Sequence, residues 1–290
     1  MDNLIIMHVN YMEGDYGQPV DLDRVCEKAV KLGYDGVEFR RKLQNMSNSE
    51  YLEKLVKAVE KAKLKYVLFG GPGPNLMDEN VENRKREVED AIDFYKKASR
   101  YFNLTVCNTM TGPLLNPEAS YYQYEKNGSA FAKEKHWEWA VEGFKILGDV
   151  AEELKFYFAF ETHPCYLHDK VESTKKLVDL INKKNVGINL DYENIACEKD
   201  PLPLGEAVKR CEDRLYYVHL KNHFKIEGLE YRNFIVCSLS DGIIDNRKFI
   251  KLLKDRNYKG PICIEAPRSG DREYFAKEDI LYLKSLLSEI

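Results

Sequence analysis

Four short apolar runs each end in a side chain that can bind a metal ion. Tyr157–Phe160 leads into Glu161, Val186–Leu190 into Asp191, Leu215–Val218 into His219, and Pro261–Ile264 into Glu265. Taken singly, each has a plain structural explanation. A carboxylate ending a strand is more often a helix cap or a surface charge, and a lone histidine more often a hydrogen-bonded core group. The recurrence at the same place in consecutive runs points to shared chemistry. Three carboxylates crowded together repel one another, and one divalent cation leaves the set near −1. One nitrogen and three oxygens suit Mn²⁺, Mg²⁺, Co²⁺ or Zn²⁺, with Mn²⁺ placed first. Side chains two apart on a strand share a face. On that rule His163 accompanies Glu161, and Lys221 accompanies His219.

These residues need elements that bring strand ends together. Leu4–Val9 is a β-rich run with His8 near its end, and Tyr34–Arg40 a second, carrying Glu38 and Arg40. Leu64–Phe69 and Leu104–Thr109 follow, and the four runs named above complete eight strands. Helical spacing is read over 19–32, 47–63, 78–102, 129–154, 172–182, 204–212, 246–256 and 277–288. Gly33 serves as a C-terminal stop and Ser47-Asn48-Ser49-Glu50 as a capping sequence. Eight alternating strands and helices in 290 residues predict an α/β fold, a single-domain (β/α)8 TIM barrel over 1–290. No GxGxxG follows the first strand, which argues against a dinucleotide fold. Gly70-Gly71-Pro72-Gly73 lacks a following Gly-Lys-Ser/Thr and reads as a tight turn. In a barrel the C-terminal strand ends share one face, so Glu161, Asp191, His219 and Glu265 converge there. His8, Glu38 and Arg40 line its far side, and Lys225 and Arg268 sit on loops above it.

Composition narrows the partners. A net charge of −4 gives no footprint for nucleic acid or an acidic membrane. No run approaches the roughly 20 apolar residues of a membrane span, and Met1–Ile6 shows no secretory signal. Seven scattered cysteines without a CxxC pair argue for reduced thiols and a cytoplasmic protein. The tyrosines at 121–124 and 216–217 read as core or pocket wall ahead of a subunit interface.

Longer segments carry a resemblance. GYDGVEFR (33–40), FAFETHP (158–164), GINLDYEN (187–194), YYVHLKN (216–222) and DGIIDNRKFIKLLKDRNYKGPICIEAP (241–267) are similar to the xylose-isomerase-like TIM-barrel superfamily, in its sugar phosphate isomerase/epimerase branch. That branch includes ketose 3-epimerases, hydroxypyruvate isomerase and inosose dehydratase. The resemblance implies that Glu161 and Glu265 are both metal ligands and proton-transfer groups, with Asp191 and His219 ligands alone. It implies isomerisation or epimerisation of a ketose or sugar (phosphate) derivative through a metal-bound enediolate, and a homo-oligomer, either dimer or tetramer. His163, Lys221, Glu38, Arg40, His8, Asn194, Lys225 and Arg268 become the substrate-binding candidates. Two positions depart from the epimerase pattern: Asn194 replaces a histidine and Lys225 an arginine, so no particular ketose is carried over.

The same ligands also serve a lyase, because an enolate beside a leaving hydroxyl can eliminate water. This inosose-dehydratase-like or keto-glycoside-cleaving alternative would use His163 or Lys221 as the leaving-group acid. An apurinic-site endonuclease, a remoter alternative on the same barrel, requires three zinc ions and further histidines that this chain lacks. Ser269-Gly270-Asp271-Arg272, in a loop suited to phosphate, contains an aspartate that opposes an anion.

Overall fold

Alternation decides which side chains face the barrel axis, and it is clearest in the aromatic strand that carries Glu161. The computed structural model describes residues 3–12, 20–41, 46–231 and 233–289. Eight parallel strands form a closed barrel: β1 (Ile5–His8), β2 (Gly36–Phe39), β3 (Tyr66–Gly70), β4 (Val106–Thr109), β5 (Tyr157–Glu161), β6 (Val186–Asp191), β7 (Leu215–Leu220) and, eighth in the barrel, β10 (Ile262–Ile264). Their order around the barrel is β1-β10-β7-β6-β5-β4-β3-β2. The helices between them are α1 (Leu22–Leu32), α2 (Asn48–Ala62), α3 (Val81–Ala98), α4 (Glu134–Glu153), α5 (Val171–Ile181), α6 (Tyr192–Ala196), α7 (Leu204–Arg210), α8 (Asn246–Asp255) and α9 (Arg272–Glu289). This is the (β/α)8 barrel expected from the sequence. Tertiary contacts group the chain into two units, Phe69–Tyr217 and the remainder, Met1–Leu68 with Val218–Ile290.

Within Phe69–Tyr217, Phe158 and Phe160 lie on one face of β5 and Ala159 and Glu161 on the other. Phe160 meets Phe144 of α4 edge-on at 4.5 Å, and Phe158 meets Tyr95 of α3 at 5.0 Å. All four rings are buried. Burying such a side chain contributes roughly 1.5–3 kcal/mol, and it commits Glu161 to the opposite face. Gly187 on β6 leaves room for a neighbour: a Cβ there would stand 2.4 Å from the Tyr216 ring and 2.5 Å from the Arg214 carbonyl.

Within the other unit, Asp279 of α9 organises the loops. It is fully buried and accepts hydrogen bonds from Tyr11 Oη (2.6 Å), Arg268 Nη1 (2.7 Å), the Leu239 N–H (2.9 Å) and Ser238 Oγ (3.2 Å). One carboxylate thus fastens the chain segments after β1 and β10 and the entry to α8.

Several boundaries differ from the sequence reading. α1 begins at Leu22, capped by the Asp21 side chain; Pro19, where the helical spacing was taken to start, lies outside the described residues. α2 has the expected capping box, Ser47 with Glu50. α4 starts at Glu134 and not at Ser129. Gly128 sits at φ +56 against the chain at Tyr166, where a Cβ would come within 2.6 Å of the Tyr166 carbonyl. α9 starts at Arg272, five residues early, because Asp271 caps it by accepting from the Tyr274 N–H at 3.0 Å. α6 and an antiparallel hairpin of β8 (His223–Lys225) and β9 (Phe234–Val236) were not expected. Among the described residues no helix is long and apolar enough to cross a membrane.

Tyr11→Phe removes a buried hydrogen bond to a carboxylate and leaves the ring in place. It is expected to lower stability by roughly 1.5–3 kcal/mol, read as a lower urea midpoint with an unchanged slope.

Candidate functional site

Inward-facing strand ends supply the polar groups. In the unit 69–217, Glu161 ends β5 and Asp191 ends β6, and both are buried. Glu161 Oε2 accepts from Asn108 Nδ2 of β4 at 2.7 Å, and Oε1 from Asn194 Nδ2 of α6 at 3.1 Å. Asp191 is also the N-cap of α6, its Oδ1 accepting from the Asn194 N–H at 3.3 Å. Thr162 Oγ1 donates to the Asp191 carbonyl (2.9 Å) and accepts from its N–H (3.0 Å). The position where a histidine was anticipated on the epimerase pattern, Asn194, therefore holds Glu161 through an amide.

In the other unit, His219 of β7 stands between two carboxylates. Its Nδ1 is 2.9 Å from Glu265 Oε2 and its Nε2 is 2.9 Å from Glu38 Oε2. All three are buried. His8 Nε2 is 3.7 Å from both Glu38 and Glu265. Glu265 is ringed by donors: Arg40 Nη2 at 2.8 Å, Asn10 Nδ2 at 2.9 Å and Lys221 Nζ at 3.2 Å. Burial alone would raise the Glu265 carboxyl. The charges of His8, Lys221 and Arg40 and the His219 hydrogen bond outweigh it and hold the group well below its ordinary value. His8 is pulled down from its ordinary value, chiefly by burial. Glu161 and Asp191 in one unit, and His219 and Glu265 in the other, are buried acidic and histidine side chains of the kind that could hold a metal ion.

The candidates around the ligands fare differently. Glu38, Arg40, His8 and Lys221 all contact His219 or Glu265, as given above. His163 lies beyond the end of β5 at Glu161; its Nδ1 lies 2.9 Å from the Pro164 carbonyl and its ring meets Tyr166 edge-on. Lys225 is exposed on β8. Arg268 donates to Asp279 (2.7 Å), Glu278 (2.8 Å) and the carbonyls of Cys237 and Ala266, and it covers the Phe275 ring. Its guanidinium is thereby built into the scaffold.

Sequence reasoning missed Asn10, Asn108, Thr162 and His168. Asn108 could have been found as a polar residue inside a strand; His168 lies in a loop with no periodic signal. His168 is fully buried, with Nδ1 2.5 Å from the Glu161 carbonyl and Nε2 accepting from the Thr111 N–H at 3.2 Å. Burial pulls its imidazole down to about 4.

The chain belongs to the family described as Xylose isomerase-like TIM barrel, which it matches over residues 26–286. It is 27% identical over 154 residues to an inosose dehydratase of Clostridium perfringens; the match covers 48% of this chain and 50% of that protein, so the chain spans about half the length of this relative. Among solved structures, a xylose isomerase-like TIM barrel protein from Mycobacterium smegmatis in complex with magnesium is 17% identical, with a TM-score of 0.76, over 99% of this chain and 97% of that one. A D-allulose 3-epimerase from Methylomonas sp. is 15% identical, with a TM-score of 0.72, over 98% of both chains. At these identities the structural likeness is one of fold.

The depressed His168 value has a consequence for stability. The unfolded state takes up a proton near the ordinary 6.5, and the folded state resists it down to about 4. The contribution of neutral His168 is therefore complete above pH 6.5 and is lost as the pH falls toward 4, a change on the order of 2–3 kcal/mol. Urea midpoints at pH 7.5 and 4.5 should fall more steeply in wild type than in His168→Gln. Parallel slopes would contradict the assignment.

Proposed function

We propose that this protein is a divalent-metal-dependent isomerase or epimerase of a ketose or sugar (phosphate) derivative, with Glu161, Asp191, His219 and Glu265 as ligands. The observation that carries the metal is His219. A neutral imidazole has one N–H, yet carboxylate oxygens stand 2.9 Å from both nitrogens. If Nε2–H donates to Glu38, the Nδ1 lone pair faces Glu265, which is repulsive unless both atoms would serve as ligands to a shared cation. Two ligands of one cation are disposed in this way, and the oxygen-rich donor set favours Mn²⁺ or Mg²⁺. Glu38 is then the carboxylate that orients a metal-binding histidine, a common arrangement, and not a group that touches substrate.

When bound, the ion polarises a substrate carbonyl and so acidifies the neighbouring C–H. Glu161 and Glu265 are the two groups placed to move protons. Glu161 is held by neutral amides and suits the abstracting role; Glu265 is fixed by Arg40, Asn10 and Lys221. Return of the proton to the same carbon from the opposite face gives epimerisation, and to the neighbouring carbon isomerisation. Arg40 and Lys221 are the cations available to steady the developing oxyanion. The likeness to inosose dehydratase favours a second reading, in which Lys221 protonates a leaving hydroxyl and water is lost.

Chelator-treated protein is expected to take up about one Mn²⁺ per chain with a rise in thermal midpoint; no uptake would leave His219 an imidazolium and remove the metal. Glu38→Gln should weaken Mn²⁺ binding by roughly 10- to 100-fold, measured by calorimetry. A panel of ketoses, ketose phosphates and inososes in D₂O, followed by NMR, should show deuterium entering an intact sugar, and Glu265→Gln should abolish it. Loss of water in place of exchange would select the dehydratase.

A further inference from the structure

We infer that His168 is a positioning residue for Glu161, acting through the backbone of the ligand and not through its carboxylate. The inference rests on the reading that Glu161 is a metal ligand and proton carrier. His168 lies seven residues beyond Glu161, outside the strand, and is fully buried. The Thr111 N–H points at its Nε2, and a backbone N–H can only donate. Nε2 must therefore keep its lone pair, which places the imidazole proton on Nδ1. Nδ1–H then donates to the Glu161 carbonyl.

The bond fixes more than one atom. A held carbonyl fixes the peptide plane between Glu161 and Thr162, and with it the direction in which the Glu161 side chain leaves the strand. The same plane is held from its other end, where the Thr162 N–H donates to the Asn189 carbonyl at 3.0 Å. Thr162 Oγ1 meanwhile grips both the N–H and the carbonyl of Asp191. Glu161 and Asp191 are thus tied to one rigid peptide unit.

The imidazole is itself held at both ends of its turn. The backbone carbonyl of His168 accepts from the His163 N–H (3.2 Å) and from Thr174 Oγ1 (3.0 Å), which pins the turn to α5. Through Thr111, the imidazole also joins the exit of β4, the strand whose Asn108 donates to Glu161. Ligand geometry held this closely favours binding and catalysis together.

Two substitutions separate the arms of the imidazole. Asparagine places an amide near the Nδ1 position and can still donate to the Glu161 carbonyl. Glutamine places its amide near the Nε2 position and can still accept from Thr111, but it loses the bond to Glu161. In the full-length chain, His168→Gln is expected to weaken Mn²⁺ binding by roughly 10- to 100-fold and to lower kcat for deuterium exchange more than it raises KM. His168→Asn should stay within a few-fold of wild type. Equal Mn²⁺ affinity in wild type and both variants would overturn the proposal, as would equal losses in both that track the fall in thermal midpoint. Wild type that takes up no Mn²⁺ would overturn the metal reading and this proposal with it; wild type that binds, beside an unaffected glutamine variant, overturns this proposal alone. Should the variants fail to fold, ¹⁵N NMR of wild type supplies the readout. A protonated Nδ1 whose resonance moves on adding Mg²⁺ supports the proposal, and a protonated Nε2 or an unmoved signal refutes it.

Discussion

An imidazole between two buried carboxylates is the constraint around which the half of the site at β1, β2, β7 and β10 is built. His219 faces Glu265 through one nitrogen and Glu38 through the other, and all three are buried. Removing a carboxylate from water costs several kcal/mol unless opposite charge and hydrogen bonds replace the solvent. The surroundings of Glu265 supply that replacement: Arg40, Lys221 and Asn10 all donate to it. Glu38 sits at the third of four positions in β2, a run whose neighbours Val37 and Phe39 are buried core. A glutamate in such a run has no explanation in packing, and His219 provides one in hydrogen bonding.

The carboxylates on β5 and β6 are held by different means. Glu161 is met by the amides of Asn108 and Asn194, and Asp191 by a backbone N–H at the start of α6. Amide N–H groups position a carboxylate through neutral donors, whereas the charges around Glu265 hold its carboxyl well below the ordinary value. The two proposed proton-moving groups therefore differ in kind.

The strand ends were legible because two signals coincided there. Period-two alternation places Phe158 and Phe160 against the helices and Glu161 on the axis, and the same alternation brings Glu38, Asp191, His219 and Glu265 inward. Beyond the last paired residue the rule lost its force. His163 lies past β5, which stops at Glu161, and Lys221, also past its strand, reaches Glu265 through a long side chain. Arg268 looked like a substrate group because it follows a strand, but Asp279, eleven residues later in a helix, claims it. His168, Asn10 and Thr162 make contacts set by how loops fold back, and no local spacing announces them. The hairpin of β8 and β9 was hidden for a related reason: its strands are three residues each, too short for alternation to register.

Isomerase and dehydratase readings need the same four ligands and the same first proton abstraction. They part at the fate of the enolate, and so at whether an acid stands over a leaving oxygen. Lys221 Nζ lies 3.2 Å from Glu265 Oε2 and is mostly buried, so one of its three N–H groups is directed at a carboxylate. His163, the other candidate acid, has Nδ1 directed at the Pro164 carbonyl and stands in a turn beyond the strand. The two readings therefore share Lys221 at Glu265 as well as the four proposed ligands, and they differ only in which atom receives the proton.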